Sequence, residues 1–229
     1  MEKERMDFTT AKHYERVLKK KASEQMMQMA FYPLHKNRIR YYIEVLKMVW
    51  FFYKIIPKDK RLVFLCIGAS NYMGDMFGPF IGQLLQENTD RNIVVYGDMD
   101  ECVHGGNLLE YIETIYKKHK DDFIIAIDAG TSQTYKRGSI LVYRRGICPG
   151  RSFYSGTAKV GDVSILGFTE ETYKKLLELS QGDSYLYDMI YFTARAIVMF
   201  LRWLHPFSAN APCMETEQKL VKSKKKHKM

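Results

Sequence analysis

The chain is poor in cysteine. Its four, Cys66, Cys102, Cys148 and Cys213, form no CxxC pair and no His/Cys cluster of zinc spacing. A reduced, cytoplasmic compartment fits that usage. GxGxxG, a Walker lysine and GxSxG are all missing, which argues against a nucleotide-phosphate loop and a serine-hydrolase elbow. Cys102 and Cys148 have no identifiable activating base, so cysteine hydrolysis is not supported. The start, Met1-Glu-Lys-Glu-Arg-Met-Asp7, lacks the apolar stretch of a signal peptide. A membrane span needs roughly 20 mostly apolar residues. The two most apolar stretches fall short: Tyr41–Ile56 is broken by Glu44, Lys47 and Lys54, and Tyr185–Leu204 by Asp188, Arg195 and Arg202. Both read as buried amphipathic helices, and no membrane partner is expected.

What the chain does have is enough apolar and aromatic content for a core, 46% and 14% of 229 residues. Its net charge of +9 is unevenly placed. Residues 61–170 hold 11 Lys/Arg against 13 Asp/Glu, so the central unit is not basic and gives no support for nucleic-acid binding. The excess lies in Lys19-Lys-Lys21 and in Lys219–Met229. A like-charge block of that kind is read first as a solvated or disordered tail, and second as a polyanion-binding one.

Three segments are expected: a polar, Met-rich arm over 1–30, an α/β domain over 31–206, and a basic tail over 207–229. The arm reads as a loose helix or a partly disordered segment, with Met26-Met-Gln-Met29 as helix-face packing. A helix over 36–56 carries Ile39, Ile43, Leu46, Trp50 and Phe52 near helical spacing. Strands are expected at Arg61–Ile67, Asn92–Tyr96, Phe123–Asp128, Ser139–Tyr143 and Ser164–Phe168. Helices are expected from Pro79 to Gln86, over Asn107–Lys118 with Asn107 as N-cap, from a Thr169 cap to Leu179, and over 184–204. Arg144–Gly161 is a long Gly/Pro-bearing connection, a kind that is often functional. The order predicts a three-layer α/β/α sandwich on a mixed, mostly parallel sheet.

Two acids end apolar strands beside small residues. Asp75 lies in Gly68-Ala-Ser-Asn-Tyr-Met-Gly74-Asp75, and Asp128 in Ile125-Ala-Ile-Asp-Ala-Gly130. Strand ends of this type converge on one crevice in open α/β sheets. Two carboxylates there could share a proton or hold a metal. Each also has a plain structural use, Asp75 at a helix start and Asp128 capping a turn. His104 is either a structural histidine, or a third ligand or acid–base group. Asp162, after Gly161, lines the same crevice or closes a turn. Asp98 belongs to the acidic turn Gly97–Cys102.

In order along the chain, Cys66-Ile-Gly68, Gly74-Asp75, Gly78-Pro79, Tyr96-Gly-Asp-Met-Asp-Glu101, Val103-His104, Asn107-Leu108, Ile125-Ala-Ile-Asp-Ala129 and Val160-Gly-Asp-Val-Ser-Ile165 resemble the YyaC-like sporulation proteins. The resemblance covers about residues 61–168. It implies a phosphorylase/hydrolase-like α/β/α fold shared with the germination protease and the hydrogenase maturation endopeptidases. It also implies a working site at Asp75 and Asp128, and His104 matches a histidine regular in the family pattern without the resemblance fixing its role. Gly68, Gly74, Asp98, His104 and Asp162 are expected in supporting or substrate-binding roles. The first loop departs from the family pattern: Ala69-Ser-Asn-Tyr-Met-Gly-Asp75 lacks its first Asp and its Arg, and Gly130-Thr-Ser-Gln133 replaces Cys-Leu-Gly.

The expectation is therefore an endopeptidase of a spore-forming bacterium, in the forespore or mother cell, using paired aspartates on a protein substrate such as the small acid-soluble spore proteins. A divalent metal held by Asp75, Asp128 and His104 is a variant. A non-catalytic sporulation scaffold whose lysine tail holds acidic partners is the alternative.

Overall fold

The computed structural model describes residues 28–33, 37–89, 93–149, 159–170 and 185–205. Six strands form one sheet: β1 Gln28–Phe31, β2 Leu62–Cys66, β3 Ile93–Tyr96, β4 Phe123–Thr131, β5 Ser139–Tyr143 and β6 Val163–Glu170, in spatial order β1-β5-β6-β4-β2-β3. β3, β2, β4 and β6 are parallel, while β5 runs antiparallel to both β6 and β1. The helices are α1 Arg38–Ile55, α2 Phe77–Asn88, α3 Leu108–Lys118 and α4 Tyr185–Leu204.

The sheet is covered on both faces, which is why β2 (Leu-Val-Phe-Leu-Cys) is buried at every position instead of alternating. Leu62, Phe64, Cys66, Ile125 and Ile127 face α1, α2 and α4. Val63, Leu65, Ile124 and Ala126 face α3, against Leu108, Ile112 and Ile115. Full burial of a side chain the size of Phe64 contributes about 1.5–3 kcal/mol. The expected three-layer α/β/α architecture with a mixed, mostly parallel sheet is the one found.

Several local expectations change. β1 lies inside the segment read as a polar arm, and its pairing with β5 draws Gln28–Ala30 into the domain. Met29 packs on the core from a strand, not from a helix face. β4 runs three residues past Asp128, and β6 runs through Thr169, which is therefore a buried strand residue and not a helix cap. The helix expected after it lies outside the described residues, as do the basic tail and most of the N-terminal arm. In α1, Asn37 caps the N-terminus by accepting from the Ile39 and Arg40 N–H groups (2.9 and 3.3 Å). Its buried face is Val45, Met48, Val49, Phe52 and Ile55. Ile39, Ile43, Leu46 and Trp50 face outward instead.

At the amino-terminal end of the parallel strands, a polar clamp joins three elements. Arg61 donates to Asp122 through Nε and Nη2 (3.0 and 2.7 Å), and His119 Nδ1 lies 2.7 Å from the same carboxylate oxygen. Tyr96 Oη lies 2.9 Å from His119 Nε2. Burial pushes the Asp122 carboxyl upward, but the Arg61 and His119 hydrogen bonds outweigh it and hold it below its ordinary range.

Candidate active site

The site forms where chain direction diverges. From β2 the chain passes through α2 to β3 on one side, whereas β4 leads to β5 and β6 on the other. Between the carboxyl ends of β2 and β4 lies a topological switch point, the usual ligand crevice of an open α/β sheet.

Asp75 reaches this point because the loop after β2 doubles back. Ile67 bridges to Val103, and the Gly68 N–H donates to the Val103 carbonyl (2.8 Å). Gly68 has φ +144°, and a Cβ there would lie 2.0 Å from the Asp75 carbonyl oxygen. Only glycine allows that fold-back. The short 3-10 turn Met73–Asp75 then delivers the chain into α2, with Gly74 buried at its centre and Pro79 in the first turn of the helix. Gly78 sits so close to β2 that a Cβ would be 2.2 Å from the Ile67 carbonyl oxygen.

Asp75 and Asp128 are both half-buried and are electrostatically coupled. Burial, followed by the charge of Asp75, pushes Asp128 well above the usual carboxylate range; the Ala129 N–H on its carboxylate opposes the shift. Burial also raises Asp75, offset by an Ala69 N–H hydrogen bond and by the field of His104. The charge of Asp75 disfavours ionisation of Asp128, so of the two carboxyls Asp128 is the more strongly raised.

His104 is exposed and sits on the turn before α3. Its Nδ1 accepts from the Gly106 N–H (3.2 Å), which leaves the neutral ring's proton on Nε2. Asn107 occupies the N-cap position of α3, yet its side chain makes no capping bond to that helix. Instead Oδ1 accepts from the His104 N–H (2.8 Å) and Nδ2 donates to the Cys102 carbonyl (3.0 Å). Asn107 thus brackets the turn that carries His104, a role the sequence reading missed; the three-residue offset from His104 is its signal.

The other expected residues lie elsewhere. Asp98 is committed to its own turn, accepting from the Asp100 and Glu101 N–H groups (3.0 and 2.6 Å) and from Gln86 Nε2 (3.0 Å). Asp162 accepts from the Ile124 N–H (2.9 Å) just before β6, at the amino-terminal end of the parallel strands. It closes a turn and does not line the crevice. Cys66 is buried in β2, and burial raises its thiol far above the ordinary range, as expected for an inert core thiol. Among the described residues no three His, Cys, Asp or Glu side chains are gathered to hold a metal ion. Asp75, Asp128 and His104 therefore do not form a ready-made divalent-metal centre.

Fold and site together define an open α/β/α protein with a coupled carboxylate pair at its switch point. The chain matches the family model "Protein of unknown function (DUF1256)" over residues 35–198 and belongs to that family. It is 33% identical over 108 residues to the uncharacterized protein YyaC of Bacillus subtilis (strain 168), a match spanning 47% of this chain and about half, 53%, of that protein. It is therefore a YyaC-like protein. Among solved structures, the NiFe-hydrogenase maturation protease HycI of Thermococcus kodakarensis KOD1 aligns at TM-score 0.46 and 17% identity, covering 66% of this chain and 98% of that one. No helix among the described residues is long and apolar enough to cross a membrane.

Proposed function

We propose that this protein is an aspartate-dependent endopeptidase whose substrates are spore or sporulation proteins. The observation that carries the chemistry is the placement of Asp75 and Asp128 at the switch point with unequal shifts: burial and the charge of Asp75 raise Asp128 well above the usual carboxylate range, and Asp75 is raised less. That is the arrangement a general base and a general acid need at one pH. Asp75 takes a proton from water as its oxygen attacks the peptide carbonyl, while Asp128 gives its proton to the carbonyl oxygen. The tetrahedral diol then collapses: the C–N bond breaks, the amine leaves with the proton held by Asp75, and Asp128 recovers its own from the diol hydroxyl. The sum is one water consumed per peptide bond. When protonated, His104 favours the ionised state of Asp75 by its field. The spore setting rests on the resemblance of the motifs to YyaC-like sporulation proteins.

A second reading, a binding scaffold without catalysis, is favoured by one observation. Each carboxylate accepts a nearby backbone N–H, Asp75 from Ala69 and Asp128 from Ala129, as turn-capping aspartates do. One experiment separates the two. The purified chain is incubated with small acid-soluble spore proteins, with and without chelator, and fragments are read by mass spectrometry. The peptidase reading expects cleavage that falls about 10²–10⁴-fold in Asp75→Asn and in Asp128→Asn. Cleavage unchanged in either variant rules it out, and no cleavage by the native chain leaves the scaffold.

A further inference from the structure

The outward face of α1 carries a stripe that the fold does not use. Ile39, Ile43, Leu46 and Trp50 are 72%, 46%, 49% and 54% exposed. Their spacing of four, three and four residues is the d-a-d-a seam of a heptad, the pattern into which a second helix sets its side chains. The opposite face of α1 is fully occupied by the core, so this seam has no partner among the described elements.

The borders of the seam are cationic. Arg40, Lys47 and Lys54 occupy the three successive e positions, all exposed. On the other side Arg195 of α4 donates to Tyr42 Oη (3.1 Å), placing a further cation beside the g position. Two acids lie near these borders: Glu44, already paired with Lys47 (2.6 Å), and Asp188 of α4, which acts on Tyr41 together with Arg195; they leave a net positive charge against Arg40, Lys47, Lys54 and Arg195. We propose that this face docks an amphipathic helix from a partner protein, with apolar residues in its seam and Asp/Glu on its flanks.

Charge selects that occupant over the others. A second copy of this chain would set e against e in an antiparallel pair, and e against the Arg195 border in a parallel one, so like charges meet in both. The chain's own terminal segments are basic as well: residues 1–27 hold seven Lys/Arg against five Asp/Glu, and residues 206–229 hold six Lys against two Glu. An anionic membrane surface would satisfy the charge, but an interfacial helix needs a broad apolar face and no 3.5-residue period. The narrow heptad seam fits a helix.

The test uses the full chain and three probes: a synthetic helical peptide with Leu at a and d and Glu at e and g, the same peptide with Lys for Glu, and phosphatidylglycerol vesicles. The expected result is binding of the Glu peptide alone, seen in the Trp fluorescence. Leu46→Ala should weaken it at least tenfold. The triple variant Arg40→Glu, Lys47→Glu, Lys54→Glu should lose it and gain the Lys peptide, which also shows that the variant is folded. The proposal is overturned if the Glu peptide does not bind, if the Lys peptide binds the native chain equally well, or if vesicles or self-association, and not the peptide, respond to these substitutions.

Discussion

Replacing Gly68 by alanine tests how tightly fold and site are linked. Two costs are foreseeable. At φ +144° an L-residue is strained, on the order of 1–3 kcal/mol. The new Cβ would also lie 2.0 Å from the Asp75 carbonyl oxygen and 3.0 Å from Pro79 Cδ. Neither contact can be relieved by turning a flexible side chain, because one is backbone and the other a ring in the first turn of α2. The loop must therefore move by about 1 Å, taking Asp75 with it, and overpacking of this kind adds roughly 1–3 kcal/mol. The two together come to about 4 kcal/mol. For a domain of this size that corresponds to a melting temperature lower by roughly 8–16 °C. Urea denaturation with unchanged m-value measures the loss directly. A loss below about 1 kcal/mol would mean that the loop does not need glycine's conformation here, and the account of how Asp75 is positioned would be wrong.

Other outcomes follow from the same structure. Asp128 has a folded-state pKa raised above its unfolded value, so its contribution is fully present below the ordinary carboxylate range and is lost as pH rises through the raised value. Asp128→Asn should therefore gain stability relative to the native chain as pH rises across that window, read by denaturation at several pH values; a constant difference would contradict this. Asp122 is the reverse case, lowered in the fold, so its contribution is present above the unfolded pKa and is lost as pH falls through the depressed one. Asp122→Ala should cost roughly 2–3 kcal/mol at neutral pH by leaving Arg61 and buried His119 without their shared acceptor, and the cost should shrink in acid; a loss within 0.5 kcal/mol would show that the clamp is decorative. Asn107→Ala should cost about 1–2 kcal/mol and broaden the His104 ring signals in NMR spectra, whereas Asn107→Asp, which keeps the acceptor for the His104 N–H, should recover part of the loss; equal effects of the two would refute the bracket.

The sheet and its crevice were legible because Leu62–Cys66 and Phe123–Ile127 are unbroken apolar runs that lead into small residues and a carboxylate, Asp128 directly and Asp75 through the glycine-bearing loop. β1 was not: its four residues sit in a polar, Met-rich stretch and become a strand only through pairing with β5, more than a hundred residues away. Periodicity found α1 but not which of its faces is buried, because both faces of that helix are apolar. The stripe through Ile39, Ile43, Leu46 and Trp50 has the more regular spacing, but the face through Val45, Met48, Val49 and Phe52 is the one buried. Asp162 shows a further limit. It was read as preceding its strand, and the choice between lining the crevice and closing a turn depends on its hydrogen bond to the Ile124 N–H, which residue types do not reveal. For the site itself, the Asp75–Asp128 pairing could be inferred from topology, whereas the backbone donors Ala69 and Ala129 and the Asn107 bracket depend on loop conformation that residue types alone do not dictate.

The most direct test of the central claim is the titration of individual carboxyl carbons by NMR in the native chain and in Asp75→Asn. The coupled pair predicts that Asp128 titrates well above the ordinary carboxylate range, and that in Asp75→Asn its pKa falls while staying raised, since burial is the larger cause. An Asp128 that titrates like a free aspartate, or one whose pKa does not respond to removal of the Asp75 charge, would contradict the claim that these two side chains share one site.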